Sequence, residues 1–244
     1  MENSVNMYQT IKNLSDCINN YWKYYLRLEN ELLKTEEYLT IHNENKKAFS
    51  LVYLQLYLNI GSEVDVIAKK ISKDINSGFN GEKIQDYCKE ITEYAQDLIK
   101  EEIYVYYRDY DSIIPWEHWS YKEVVDKNGK KRLISKDTPK WWSYYNKIKH
   151  DRTGSISKDS PQKYFQLANQ ENVVNALAGL YLLEMFYYTE LLKKYKEENS
   201  MPINKFDYLW ITESRLFGAK TLTTNHLTGE STFNDCNFYF QENC

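Results

Sequence analysis

The sequence predicts an all-α protein, an antiparallel bundle of four long helices with some shorter ones. Apolar residues recur at spacings of three and four along most of the 244-residue chain. Helix breakers are few, with 4 Pro and 8 Gly. Residues 51–60 and 176–189 are apolar on several faces, which is typical of helices at the centre of a bundle.

Three helices are predicted in the first half of the chain. The first has an apolar face that runs over residues 11–32. The second spans about 47–71, and the turn residues of 76–81 end it. The third follows over 84–99, again with apolar residues three and four apart.

The middle of the chain breaks this pattern. Asn128 and Gly129 lie between two short apolar runs, which predicts a β-hairpin inserted near 121–135. Pro139 then precedes a short helix that begins at Trp141.

The second half predicts one more long helix and a tail. Ser160 and Pro161 have the residue types of an N-cap and a first helical residue, and the helix runs to about Glu198. Pro202 starts a last short helix that ends near 217–218, and the remaining tail is irregular or a small β-structure. No repeat or linker divides the chain, so we expect one domain over 1–244, with its core at about 5–200 and a C-terminal helix and strap at 201–244.

Composition excludes several classes of protein. The net charge is −4 and the four cysteines make no zinc-binding pattern, so we expect reduced thiols, no metal and no cofactor. We find no signal peptide and no apolar run long enough for a bilayer, which predicts a cytoplasmic protein without a membrane partner. Signatures of zinc proteases, of phosphate-binding loops and of serine hydrolases are absent from the sequence.

Charge is unevenly distributed along the chain. Residues 122–152 hold ten Lys or Arg against four acids, a local charge of +6, which leaves −10 for the remainder of a chain at −4. A basic segment of this kind suits phosphate, although a solvated lysine-rich hairpin explains it equally well.

The stretch WWSYYNKIKHDR, residues 141–152, is the one candidate for chemistry. If it is helical, Asn146 and His150 share a face, while Tyr145, Lys149 and Arg152 line the neighbouring face. An imidazole that moves protons beside cations that hold phosphate oxygens suits a phosphodiester.

A structural interpretation competes with this one. Cationic side chains in a last helical turn also interact favourably with the helix dipole and with terminal carbonyls. We expect Lys147 to pair with Asp151, and four residues to pack in the core: Trp141, Trp142, Tyr144 and Ile148.

The segment YNKIKHDR, together with IGSEVDVIAKKI at 60–71 and ALAGLYLL at 176–183, resembles the HEPN-like superfamily of helical proteins. That resemblance implies a metal-independent ribonuclease, often a toxin or antiphage effector, whose site forms across a homodimer. The family's motif is an Arg, a polar residue after it and a His four to six residues past the Arg. In this sequence His150 and Asn146 match it, but Tyr145 stands in the arginine position.

Two functional hypotheses follow, and a third is purely structural. In the first, which we favour slightly, Arg152 or Lys149 replaces the arginine, and His150, Asn146 and Arg152 cleave RNA. In the second, the chain binds RNA, a nucleotide or a protein partner such as an antitoxin without turnover. Either way, we expect the phosphate contacts to come from five cations: Lys147, Lys149, Lys130, Lys131 and Arg132.

Overall fold

The structure is a computed structural model that describes residues 2–157, 161–200 and 211–220, with side chains from residue 9 onward. The helices in chain order are α1 (Glu2–Asp16), α2 (Lys23–Leu33), α3 (Leu51–Ile75), α4 (Ile84–Tyr94), α5 (Lys140–His150) and α6 (Gln170–Glu198). A π-helical segment, Cys17–Trp22, joins α1 to α2, so the first predicted helix is one continuous run. The strands are β1 (Ile103–Val105), β2 (Ser120–Val125), β3 (Lys131–Asp137) and β4 (Phe217–Ala219).

The protein is mostly helical with two small antiparallel sheets, which confirms the mainly α class. Helices α3 and α6 pack along each other at the centre, and α1, α2, α4 and α5 contact one or both of them. Side-chain caps begin both central helices: the Ser50 hydroxyl accepts from the Tyr53 amide, and the Asn169 carbonyl accepts from the Asn172 amide. The apolar run 176–189 is buried throughout, whereas the run 51–60 begins with the exposed residues Leu51 and Val52 and enters the core from Tyr53 onward.

The predicted hairpin is present as β2 and β3. Gly129 has a φ of 78°, and the Asp126 carboxylate accepts from the amides of Asn128 and Lys130 across the turn. The hairpin packs on α4, where the Tyr121 hydroxyl donates to Glu93 at 2.5 Å. The hairpin is therefore held by α4, whereas α5 packs against α3 and α6.

The C-terminal prediction needs correction. Residues 211–220 contain no helix, and β4 pairs antiparallel with β1 instead. The cause is a contact distant in sequence: the buried Glu29 carboxylate accepts from the backbone amides of Arg215 and Leu216 at 3.1 and 3.2 Å. The proposed helix start at Pro202 and the strap beyond residue 220 lie outside the described residues.

Helix α6 also begins later than predicted, at Gln170 rather than near Pro161. The Tyr164 amide bonds to the Gly154 carbonyl at 2.8 Å and the Phe165 amide to the Arg152 carbonyl at 3.2 Å. These bonds join the segment to the loop after α5 and leave only a 3-10 turn at 164–167. Ser160, the predicted cap, lies outside the described residues.

The third predicted helix is shorter than expected, because α4 ends at Tyr94 and a 3-10 turn, Gln96–Lys100, follows it. The backbone of Ala95, at φ −133° and ψ 74°, is no longer helical. In the described part of the chain, no helix combines the length and the apolar character that a membrane crossing requires.

Candidate functional site at the end of helix α5

Helix α5 carries the stretch that the sequence singled out. It begins after Pro139 and ends at His150, because Asp151 adopts an extended backbone. The Asp151 carboxylate accepts from the Thr153 amide, the Thr153 hydroxyl and the Gly154 amide, each at 3.0 Å. These hydrogen bonds lower the pKa of Asp151 and commit it to the loop. The expected pair between Lys147 and Asp151 is not formed among the described residues.

Tyr145, the residue in the arginine position, is buried, with 2% of its surface exposed. Its ring lies against the α-carbon of Gly61 on α3, and the rings of Tyr57 and Trp142 flank it at 6.3 and 5.1 Å between centroids. Burial, and then the charge of Asp65, raise the pKa of Tyr145. This position therefore belongs to the core and presents no group to a ligand.

Asn146 is committed to its own helix. Its amide nitrogen donates to the Trp142 carbonyl one turn earlier at 3.1 Å. The amide is therefore engaged within α5, although Asn146 does share a face with His150 as predicted. Trp141, Trp142 and Ile148 are buried, which confirms their expected packing role, whereas Tyr144 is only half-buried.

His150 and Arg152 are both exposed at the C-terminal end of α5. Arg152 lies beyond the end of the helix, so it does not continue the helical face of Tyr145 and Lys149 that the sequence predicted. The imidazole of His150 and the guanidinium of Arg152 make no hydrogen bond or ion pair with any part of the chain that the structure describes. Both groups are thus open to solvent and to an anion.

The lysines of α5 lie over tyrosine rings. The Lys147 ammonium is 5.5 Å from the ring centroid of Tyr144 and 5.6 Å from that of Tyr164. Lys140 lies 5.6 Å from the Tyr144 centroid. Tyr164 lies outside the stretch 141–152, and the hydrogen bonds of the loop after α5 bring it to the helix, so helical spacing gives no signal for it.

Lys149 faces the groove between α5 and α3. Its ammonium lies 5.6 Å from the Tyr145 ring centroid. Burial raises the pKa of Asp65 on α3, while the positive charges of Lys149 and Lys69 oppose that shift. The carboxylate of Asp65 is therefore near Lys149, but the two groups do not form an ion pair.

The hairpin cations Lys130, Lys131 and Arg132 are exposed around the turn between β2 and β3. Because this hairpin is held by α4, the structure does not pack these three residues against α5. They form a second, separate basic surface.

A buried acid lies in the core, away from the stretch 141–152 that the sequence singled out. Glu184 on α6 is fully buried, and neither of its carboxyl oxygens has a hydrogen-bond partner in the described structure. Burial, and then the charge of Glu63 on α3, raise its pKa well above the ordinary value. Cys17 on the π-helical segment shares this environment, because burial and the charge of Glu184 raise its pKa as well.

Other types of site find no support in the described ranges. No cluster of three or more His, Cys, Asp or Glu is arranged to hold a metal ion there. Burial raises the pKa of Cys88 to about 12, so its thiol is a poor nucleophile. A cleft of about 570 Å³ lies between α3 and α6, but the Tyr94 hydroxyl donates to Glu190 and the Tyr187 hydroxyl to Asp74 along its walls.

The sequence was compared with protein-family models, and the chain with curated proteins and solved structures. No family model matches the chain, and no significant similarity connects it to a curated protein or to a solved structure.

Proposed function

We propose that this chain is a cytoplasmic RNA-binding protein with a HEPN-like bundle of four long helices, and that the end of α5 holds RNA phosphates. One observation carries the proposal. Lys147, Lys149 and Arg152 are each exposed within six residues of one another at the end of α5, and no carboxylate pairs with them within 2–157, 161–200 and 211–220. Asp151, the one acid among them in sequence, is committed to the loop.

Lysines elsewhere on the surface behave differently. Many form ion pairs with carboxylates: Lys34 with Glu31 at 2.9 Å, Lys46 with Asp111 at 2.7 Å, Lys70 with Asp74 at 2.8 Å and Lys220 with Glu102 at 2.8 Å. A group of cations without such partners attracts a polyanion and gains affinity from the release of its counterions. The chain as a whole carries a net charge of −4, so the positive charge of this surface is local.

Binding is tested with a fluorescein-labelled RNA and fluorescence anisotropy at several salt concentrations. The triple variant Lys147→Ala, Lys149→Ala, Arg152→Ala is expected to bind much more weakly. The slope of the logarithm of the association constant against the logarithm of the salt concentration should become shallower by about 2. Each of the three lost phosphate contacts accounts for about 0.7 of that change.

The matched control removes three exposed lysines from other surfaces: Lys23, Lys34 and Lys100. It carries the same change in net charge, so it separates a local contact from a general effect of charge. Equal losses of affinity in the two triple variants, or no RNA binding by the wild type, contradict the proposal.

The second candidate function is metal-independent RNA cleavage, and the exposed ring of His150 supports it. In this hypothesis the imidazole moves a proton during attack by the ribose 2′-hydroxyl. Because Tyr145 is buried and the Asn146 amide nitrogen is engaged, one chain offers His150 with the exposed cations Lys149 and Arg152, and a second copy would supply the missing groups. We therefore connect this hypothesis with a homodimer.

Cleavage is tested by incubating the protein with tRNA and total RNA in EDTA. His150→Asn should abolish cleavage, and His118→Asn is the control at an exposed histidine whose φ of 66° asparagine tolerates. Light scattering reports whether two copies associate. The cleavage hypothesis is rejected if the RNA stays intact after incubation with wild type, or if His150→Asn still cleaves it. Binding is then the proposed function that remains.

The resemblance also extends the proposal to an antiphage effector or a toxin that an antitoxin partner neutralises. This extension rests on residues 141–152 rather than on a contact with any partner. Expression in a bacterial host, with and without phage, tests it: the His150→Asn variant should relieve growth arrest or lose protection.

A further inference from the structure

Two tyrosines beside the proposed phosphate contacts have surroundings that differ from those of other tyrosines in this chain. Several half-buried or exposed tyrosines donate to a carboxylate: Tyr94 to Glu190, Tyr107 to Glu36 and Tyr121 to Glu93. Tyr144 and Tyr164 have no carboxylate partner in the described part of the chain, and cations lie over their rings instead. These two rings are therefore placed in a positive environment.

The position of Tyr164 is built by the loop after α5. Its amide bonds to the Gly154 carbonyl at 2.8 Å, and its ring lies close to the Gly154 α-carbon, where a Cβ would come within 2.6 Å of ring carbon Cε2. The loop itself is held by the Asp151 carboxylate. Tyr164 is thus fixed beside the end of α5 by backbone contacts and not by chance surface packing.

Lys147 joins the two rings. Its ammonium is 5.5 Å from one centroid and 5.6 Å from the other, so the two centroids are at most about 11 Å apart. Lys140 lies 5.6 Å from the Tyr144 centroid, so these contacts connect four side chains in the order cation, ring, cation, ring: Lys140, Tyr144, Lys147 and Tyr164. Alternating cations and rings are the surface that single-stranded nucleic acids bind, because phosphates contact the cations and bases stack on the rings.

The lysines do not prevent stacking. An exposed cation–π contact is weaker than the stacking of a base on an aromatic ring, and a lysine that leaves the ring gains a phosphate. A duplex offers phosphates but keeps its base faces stacked internally, so it uses the cations and leaves the rings unoccupied.

We infer that the surface of Lys140, Tyr144, Lys147 and Tyr164 selects single-stranded over double-stranded RNA by stacking unpaired bases on its two rings. This inference rests on the proposed function, since the same end of α5 supplies the phosphate contacts. It adds the class of RNA and two residues, Tyr144 and Tyr164, that determine it.

The test compares a 12-nucleotide single strand without self-complementarity with its duplex, by anisotropy on the full-length protein at one salt concentration. Wild type should bind the single strand at least 10-fold more tightly. Replacing either ring with leucine should weaken single-strand binding about 10-fold and leave duplex binding within 2-fold. The paired variant Tyr144→Phe, Tyr164→Phe keeps both rings and should retain the preference, and Tyr38→Leu, at an 88% exposed tyrosine, is the control.

The outcomes distinguish this inference from the proposed function. Equal wild-type affinity for single strand and duplex, or a preference unchanged by both leucine substitutions, overturns the inference and leaves RNA binding intact. Absence of binding to either RNA overturns both. If a leucine variant does not fold, the inference is still tested by the ratio of single-strand to duplex affinity in wild type and in the phenylalanine variant. Loss of the single-strand preference in the phenylalanine variant contradicts stacking, because both rings are still present.

Discussion

The ring of Tyr145 lies directly on the α-carbon of Gly61, where helices α5 and α3 meet. A Cβ on Gly61 would lie 2.7 Å from Cγ of Tyr145 and closer still to two other ring carbons. This close approach holds α5 against the central helix and directs Tyr145 inward. The cations that follow it on α5 are thereby left at the surface.

Gly61→Ala should destabilise the protein. Overpacking in a core costs about 1–3 kcal/mol, while alanine gains about 1 kcal/mol over glycine in a helix, so we expect a net loss of up to about 2 kcal/mol. Urea denaturation measures it, with exposed Ser62→Ala as the control. A second substitution, Tyr145→Leu, should make Gly61→Ala less costly, and strict additivity of the two changes would argue against the contact.

Tyr145→Arg introduces the arginine of the HEPN-like motif that the stretch 141–152 resembles, yet we expect it to create no ribonuclease activity. The guanidinium replaces a ring that packs on Trp142 and Gly61 and places a charge in the core, so stability should fall by about 3 kcal/mol or more. Tyr145→Phe, which keeps the ring, should remain close to wild type. Thermal denaturation and RNA cleavage in EDTA are the measurements, and a stable, newly active arginine variant contradicts the buried placement.

Glu184 should make the protein less stable as pH rises. Its pKa is raised in the folded protein, so the folded state holds a proton that the unfolded state releases above the ordinary value of 4.5. Each pH unit above that value lowers the free energy of unfolding by about 1.4 kcal/mol until Glu184 ionises in the folded state. Two titratable groups lie near Glu184, Glu63 on α3 and Cys17 on the π-helical segment. Burial raises the pKa of both of them as well.

Urea denaturation from pH 5 to pH 8 tests this expectation. Glu184→Gln removes the titration and should be progressively more stable than wild type as pH increases, whereas the exposed Glu37→Gln should follow wild type. If the stability of Glu184→Gln stays parallel to that of wild type across this range, Glu184 is not a buried acid.

Glu29→Ala should release the segment that carries β4. The Glu29 carboxylate accepts from the hydroxyls of Tyr25 and Ser214 as well as from the two amides of 215 and 216. Removing it leaves several buried donors without an acceptor, which should cost about 3 kcal/mol or more. Chemical denaturation measures the loss, and cleavage by trypsin at Arg215 should accelerate.

The control for this change is Glu31→Ala. Glu31 lies half a turn away on α2 and makes one surface ion pair with Lys34, which contributes little to stability because water screens it. Unchanged proteolysis at Arg215 in Glu29→Ala would show that another contact holds the segment.

The sequence alone determined the parts of this protein that depend on local chemistry. The spacing of apolar residues predicted the central helices α3 and α6, and the pair Asn128 and Gly129 predicted the hairpin, because both signals act within a few residues. The same local signals located the basic residues at the end of α5.

The tertiary structure decided what depends on contacts between distant residues. The close approach of Gly61 lets Tyr145 be buried, Glu29 holds the amides of 215 and 216 just before strand β4, and Gly154 positions Tyr164 beside Lys147. Each of these outcomes is set by a partner ten or more residues away, which helical periodicity does not encode. The candidate site at α5 was therefore visible in the sequence, but its division into core residues and surface residues required the fold.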